Sequence, residues 1–388
     1  MSLTSTFFAV GTVTGAAGAA IAWGGMVSNL RLYTRTARGD RPTKRGDSPT
    51  VSVCIPARNE ESNIEACVRS VLASADVPVE VLVYDDQSTD ATPSILARLV
   101  AEDPRVRVVT TQPLPSGWNG KQWGCERMGQ AARGAWVLFT DADVRFEPDC
   151  VARTLARAEL LGVDLLSTVP RQVTGSWAEH AVIPLISFVL LSYLPMGRMR
   201  STTSPAASGA CGQFILARRE AWLASGGHAA FKASMHDGIK MPRAFRRAGF
   251  RTDLFDGTDL VACRMYRGLG QVWRGFAKNA YEGLGSPALL LFVTVLHACA
   301  VLLPWVTLVA WIAGAEVAPW VPWVAAATIV AGFAQRVLLA RRFAHGWLSV
   351  ALHPVGIAML TAIQWHSLWL HLTGRRAWKG RTAGAPAS

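Results

Sequence analysis

The sequence predicts an α/β domain with a mainly parallel sheet, flanked by membrane-crossing segments. Three observations lead there. Strand-like apolar runs alternate with helix-like runs from residue 50 to about 150, the pattern of strand–helix–strand crossovers. Uncharged stretches long enough for a ~30 Å bilayer core stand at 7–27 and again in the last third of the chain. Of 388 residues 51% are hydrophobic and only 17% charged, below the roughly 25% of a soluble domain, and mean hydropathy is +0.24. A disordered or collagen-like chain is excluded, and an ordinary soluble enzyme disfavoured.

The first element is an N-terminal anchor. No charge precedes Arg31, so the basic start of a cleavable signal peptide is missing. Gly11 and Gly15 in GTVTG form a small-xxx-small pair suited to packing on another helix. Arg31, Arg35, Arg38, Arg41, Lys44 and Arg45 then face a single acid, Asp40. By the positive-inside rule the chain after this helix is cytoplasmic. The net charge of +12 suits such loops and anionic headgroups rather than nucleic acid. Seven scattered cysteines without a CxxC speak against a disulfide framework or a structural zinc and fit a reducing compartment.

The α/β elements come next. Strands are expected at 51–57, 79–85, 106–111 and 135–141, and helices at 61–74, 92–103 and 121–133. Ligands of such sheets sit at the carboxyl ends of the strands, which gathers 56–60, 85–90, 112–121 and 141–143 around one crevice. Residues 180–197 are uncharged but carry Pro184 and Pro195. They suit an interfacial or re-entrant segment, or a buried core helix. Crossings are expected near 288–313 and 319–339. The stretch 347–372 either crosses or, broken at Pro354 and Gly356, re-enters. The expected domains are an anchor (1–30), a basic linker (31–49), the α/β domain (50–280, with an interfacial segment at 177–197), a membrane region (284–373) and a basic tail (374–388).

The strand ends carry the chemistry. Asp141 and Asp143 in DAD follow an apolar strand, and two carboxylates spaced i, i+2 on a turn can share one hard cation, Mg2+ or Mn2+. Alone, a D-x-D is more often a solvated turn, and its place at a central strand end is what shifts the balance. In YDDQSTD, Ser88 to Asp90 read as a helix cap. Capping leaves the adjacent acids Asp85 and Asp86 unexplained, and they can accept from a base N–H or ribose hydroxyls. In IPARNEE, Pro56 ends the strand, Arg58 and Asn59 can meet phosphate or base, and Glu60 or Glu61 begins a helix; Pro56, Arg58, Asn59 and Glu60 are expected to line the donor site. The loop at 113–125 offers Gly117, Gly120 and a mobile cation, Lys121, for a pyrophosphate. It is not a P-loop, and GxGxxG after the first strand is missing too, which disfavours a dinucleotide dehydrogenase.

Together these four segments resemble the GT-A, inverting, family 2 glycosyltransferases over about 50–280. The segments GWNGKQWGC, SGACGQFILARREAW, GGH, CRMYRG, WRGFAKN and WKGR are similar to those of membrane-anchored bacterial enzymes that glycosylate carotenoid or hopanoid-type lipids. The resemblance implies that Asp141 and Asp143 hold the metal and that Asp85 and Asp86 bind the nucleoside. The family's base is usually the Asp of a Glu–Asp pair before a helix. Here Asp237 takes that place and His236 replaces the Glu. Asp237 is either the base or an N-cap, and His236 either a diphosphate contact or a structural hydrogen-bonding residue. Arg264, Trp273, Arg274 and Lys278 either close over the leaving diphosphate or meet headgroups.

The expected function is therefore transfer of a sugar from a nucleoside diphosphate donor to an isoprenoid-type lipid hydroxyl. It takes place with inversion, at the cytoplasmic face of the inner membrane, by a multi-pass protein that binds no nucleic acid. The alternatives are a polyprenyl-phosphate acceptor, which needs no base, and a catalytically silent scaffold of the same fold.

Overall fold

The computed structural model describes residues 2–42 and 50–375, with the backbone of 377, 378, 381 and 382. Lys44, Arg45, Arg376, Lys379 and the tail 383–388 lie outside the described residues. The chain forms two compact units: 1–31 with 174–194 and 266–373, and 32–173 with 195–265 and 374–388.

The second unit is built on strands β1 (Val51–Ala57), β2 (Val79–Asp85), β3 (Val106–Val108), β4 (Trp136–Thr140), β5 (Val144–Phe146), β6 (Leu165–Ser167), β7 (Arg171–Gln172), β8 (Phe214–Arg218), β9 (Thr252–Leu254) and β10 (Val261–Cys263). The main sheet runs β3-β2-β1-β4-β8-β6-β9, and β5-β10-β7 form a small second sheet. Neighbours β3, β2, β1 and β4 are parallel, as are β6 and β9. All seven residues of β1 are buried, as a parallel strand covered on both faces must be. Its odd-numbered residues Val51, Val53 and Ile55 enter one apolar core and Cys54 the other, the two-residue period of a strand.

The four expected strands and three helices stand within a few residues of the expected ranges. The edge strand β3 stops at Val108 and its outer residue is exposed. Strand β8 runs antiparallel to both β4 and β6, a reversal that an apolar run such as FILAR does not announce.

In the other unit three helices are long and apolar enough to cross a membrane: Leu3–Leu32, Pro287–Ile312 and Val321–Phe343. The stretch 347–372 is not among them. It breaks at Leu352 into Leu348–Ala351 and His353–Leu372, with Pro354 in the first turn of the second helix, where its missing N–H costs nothing. The Gly11/Gly15 pair packs as its spacing suggests. Side chains there would run into Leu303 and into the carbonyl of Cys299. Residues 174–194 belong to this unit as two short helices, Trp177–Val182 and Leu185–Tyr193, hinged at Pro184. Asn29 ties the first helix to them by donating to the carbonyls of Leu191 and Leu194 at 2.8 and 2.7 Å.

Candidate active site

The carboxyl ends of β1, β2 and β4 bring the expected segments together. At the end of β1, Pro56 and Ala57 are paired with Tyr84 and Asp85 of β2, so the strand runs one residue beyond the proline expected to end it. Arg58 donates to the carbonyl of Asp86, and its guanidinium lies 3.7 Å from the Asp86 carboxylate. Asn59 sits at φ 53° and accepts from the Thr89 N–H at 2.8 Å, while the Glu60 N–H donates to Thr92. Asp85 accepts from both the N–H and the hydroxyl of Ser88. Arg58, Asn59 and Glu60 therefore lace the β1 loop to the β2 loop, so that the buried Asp86 is held at the crevice floor.

Asp141 and Asp143 leave β4 on a turn into β5. The Asp143 Oδ1 is buried with no hydrogen-bond partner. Burial, and then the charges of Asp141 and Glu60, push the Asp143 carboxyl up to about 7. A carboxylate so destabilised is one that a cation relieves. Among the described residues no group of three or more His, Cys, Asp or Glu is placed to hold a metal ion.

Lys121 is the hub. Asn119 caps the helix Gly120–Ala131 by accepting from the Lys121 N–H. This directs a lysine from the first turn into the crevice. Its Nζ lies 2.7 Å from Asp141 Oδ1 and 2.9 Å from Asp237 Oδ2. Burial works against the ammonium, but Asp141 and Asp237 hold it charged, well above its usual range.

Asp237 opens the helix Asp237–Arg247 and accepts from the Gly238 N–H at 2.8 Å. Burial alone would raise its carboxyl. The charge and hydrogen bond of Lys121 overcome that and hold it at about 2. Gly212 is needed here, because a Cβ at that position would collide with the Asp237 carboxylate. His236 stands just before the helix, its N–H on the Ser234 hydroxyl.

Arg264 follows β10 and is exposed. Trp273, Arg274 and Lys278 belong to the other unit, the first two on the helix Gly268–Ala277. The indole N–H of Trp273 donates to His366 at 2.9 Å.

Two features escape sequence reasoning. One is the shared ion pair at Lys121. The other is the support beneath Asp143, where Cys263 lies against its carboxylate and accepts from Gln213 at 3.1 Å. The Gly-rich turn before His228 is also structural. Glu126 accepts from the His228 and Ala229 N–H groups, and the buried imidazole takes the Trp222 N–H.

Residues 52–223 match the family described as Glycosyl transferase family 2. The 4,4'-diaponeurosporenoate glycosyltransferase of Staphylococcus aureus strain N315 is 28% identical over 274 residues, which is 69% of this chain and 68% of that one. The same enzyme of strain USA300 is 28% identical over 269 residues, 67% and 68% of the two chains. A mannosyltransferase of Pyrobaculum calidifontis, in complex with GDP-Man and Mn2+, superposes on 94% of this chain and 98% of its own with a TM-score of 0.56 at 19% identity. That likeness shows the fold. With the parallel half-sheet and its acidic crevice, these matches show a glycosyltransferase family 2 domain at residues 52–223, on a GT-A fold.

Proposed function

We propose that this protein moves a sugar from a nucleoside diphosphate donor to the hydroxyl of an isoprenoid-type lipid, with inversion, at the cytoplasmic face of the membrane. The observation that carries the reading is the Asp141–Lys121–Asp237 chain, at 2.7 and 2.9 Å. It puts Lys121, the cation that in this reading meets the diphosphate, between the acidic turn and a buried carboxylate.

Asp86 and Asp85 receive the nucleoside at the ends of β1 and β2. Lys121 meets the diphosphate. Asp141 and Asp143 are the residues that would hold Mg2+ or Mn2+, which supplies charge neutralisation of the diphosphate. The acceptor oxygen attacks the anomeric carbon from the face opposite the diphosphate. The bond from that carbon to the diphosphate oxygen breaks, and the leaving group takes the electron pair. Asp237 accepts the hydroxyl proton. One in-line displacement inverts the anomeric centre. A lipid acceptor is supported by the carotenoid-derived name of the Staphylococcus aureus relative and by the three apolar helices.

A second reading, a lipid phosphate acceptor, draws support from Asp237 itself. A carboxylate held at about 2 is a weak base until Lys121 is drawn away, and a phosphate oxyanion needs no base. The test is incubation of membranes containing the protein with labelled nucleotide-sugars and mass spectrometry of the extracted lipids. A neutral glycolipid is expected. A sugar phospholipid supports the second reading, and release of nucleotide without lipid labelling contradicts both.

A further inference from the structure

The membrane unit buries a cluster of nitrogen donors that the transfer reaction does not use. Arg336 lies on the helix Val321–Phe343 and is fully buried. One terminal nitrogen donates to the Pro184 carbonyl at 3.3 Å, while Nε and the other terminal nitrogen have no partner. His297 and His353 are 1% and 3% exposed. Neither nitrogen of His297 has a partner, and neither do Nδ1 of His353, Nδ1 of His345 or the Ser349 hydroxyl. The rings of His297 and His353 pack around Phe188, with centroids 6.4 and 5.1 Å away. Arg336 acts electrostatically on both His345 and His353.

A second observation falls at the same place. The turn after His297, Ala298–Leu302, is π-helical, a local distortion that recurs at functional sites. Its Ala300 and Val301 line a small cavity with His353, Gly332 and Phe333. Gly332 is one turn before Arg336 on the same face of its helix.

The chemistry of the cluster selects its ligand. Among the described residues no three His, Cys, Asp or Glu side chains are placed to hold a metal ion, and a guanidinium beside the imidazoles would repel one. The only acids in this unit are Glu179, Glu282 and Glu316, and Glu179 accepts from the Gly175 and Gly268 N–H groups. A buried guanidinium without a counter-ion is costly, and its fork matches the paired oxygens of a carboxylate or phosphate. The site lies about two turns before the helix end, where Arg341 and Arg342 stand. At the end of a membrane-crossing helix such basic residues stand among the lipid heads, and the site lies about 11 Å inward of them. Trp305 and Phe333 line the same small cavity, and Trp305 is itself exposed to the surroundings.

We propose that Arg336, with His297, His345 and His353, binds the oxyanion head of a membrane lipid. The site belongs to the membrane unit alone and does not depend on Asp237 being the base.

The test uses the full-length protein in an uncharged detergent, at a pH where carboxylic acids are ionised. All-trans-retinoic acid and all-trans-retinol share an isoprenoid chain and differ in the head, and both quench tryptophan fluorescence. The acid should bind at least about tenfold more tightly, the value of one charge-assisted hydrogen bond. Arg336→Gln should erase the preference, and Arg336→Lys should keep part of it. Equal affinity of the unaltered protein for acid and alcohol overturns the proposal, and that comparison stands even where Arg336→Gln does not fold. A preference that survives in folded Arg336→Gln protein also overturns it. Inorganic phosphate should compete no better than chloride at equal ionic strength. Displacement of the acid by phosphate would make this a site for a soluble anion and overturn the lipid assignment.

Discussion

Lys121 Nζ lies 2.9 Å from Oδ2 of Asp237, so the cation suited to the donor diphosphate and the carboxylate suited to the acceptor proton begin as one ion pair. While they are paired, Asp237 is ionised but weakly basic. A diphosphate that draws Lys121 away leaves Asp237 buried without its partner, and burial then raises its proton affinity. In the proposed mechanism donor binding and base strength are coupled through this one lysine.

Lys121→Met should uncouple them. With Asp237 held at about 2, the unaltered free enzyme keeps it ionised throughout the neutral range, and its protonation adds no acid limb there to kcat/KM. Without the ammonium, burial moves the carboxyl upward. A falling limb should then enter the mildly acidic to neutral range, together with weaker donor binding. A profile of the same shape in both proteins contradicts the coupling.

Asp143→Ala removes a carboxylate whose Oδ1 has no hydrogen-bond partner and whose protein hydrogen bond is the one to the Cys263 thiol, so folding and membrane insertion should survive. Turnover should fall to background, and donor binding should lose its sensitivity to chelators. Activity of the unaltered protein that persists after exhaustive chelation would remove the metal from Asp141 and Asp143.

Gly212→Ala places a methyl against the Asp237 carboxylate. Overpacking of this kind costs ~1–3 kcal/mol, and here the strain falls on the reacting carboxylate. Turnover should drop by at least about tenfold, with donor affinity little changed. An unaffected rate would show that Asp237 is free to move without penalty.

How much of this was legible beforehand follows from what each signal depends on. Strand ends announce themselves by composition, so Asp85, Asp86, Asp141 and Asp143 were placed at one crevice from the run of apolar residues before each. The orientation of β8 was not legible, because FILAR reads the same in either direction. Nor was the pairing of Lys121 with Asp237, two residues far apart in the chain that meet only when the Asn119 cap and the close approach of Gly212 are in place. The stretch 347–372 resisted reading because its basic flanks fit several topologies. The break at Leu352 is the feature that sequence alone did not rank.

Crossing of the membrane by all three apolar helices would imply a definite topology. A reporter joined after Arg41 and one joined after Gly374 should both read cytoplasmic, whereas one at Glu316, between the helices ending at Ile312 and beginning at Val321, should read external. The basic excess after the first helix sets the sign. A cytoplasmic signal at Glu316 would contradict the three-span arrangement.

The central claim is that Asp237 is the base, and turnover by Asp237→Asn measured beside donor binding on the same purified protein tests it most directly. The amide keeps the size and cannot take the proton. Transfer to a lipid hydroxyl should fall by at least about 100-fold, the lower end of what general-base help supplies, while donor affinity holds or improves as Lys121 is released. A near-normal rate at full donor occupancy would contradict the account and put the lipid phosphate acceptor in its place.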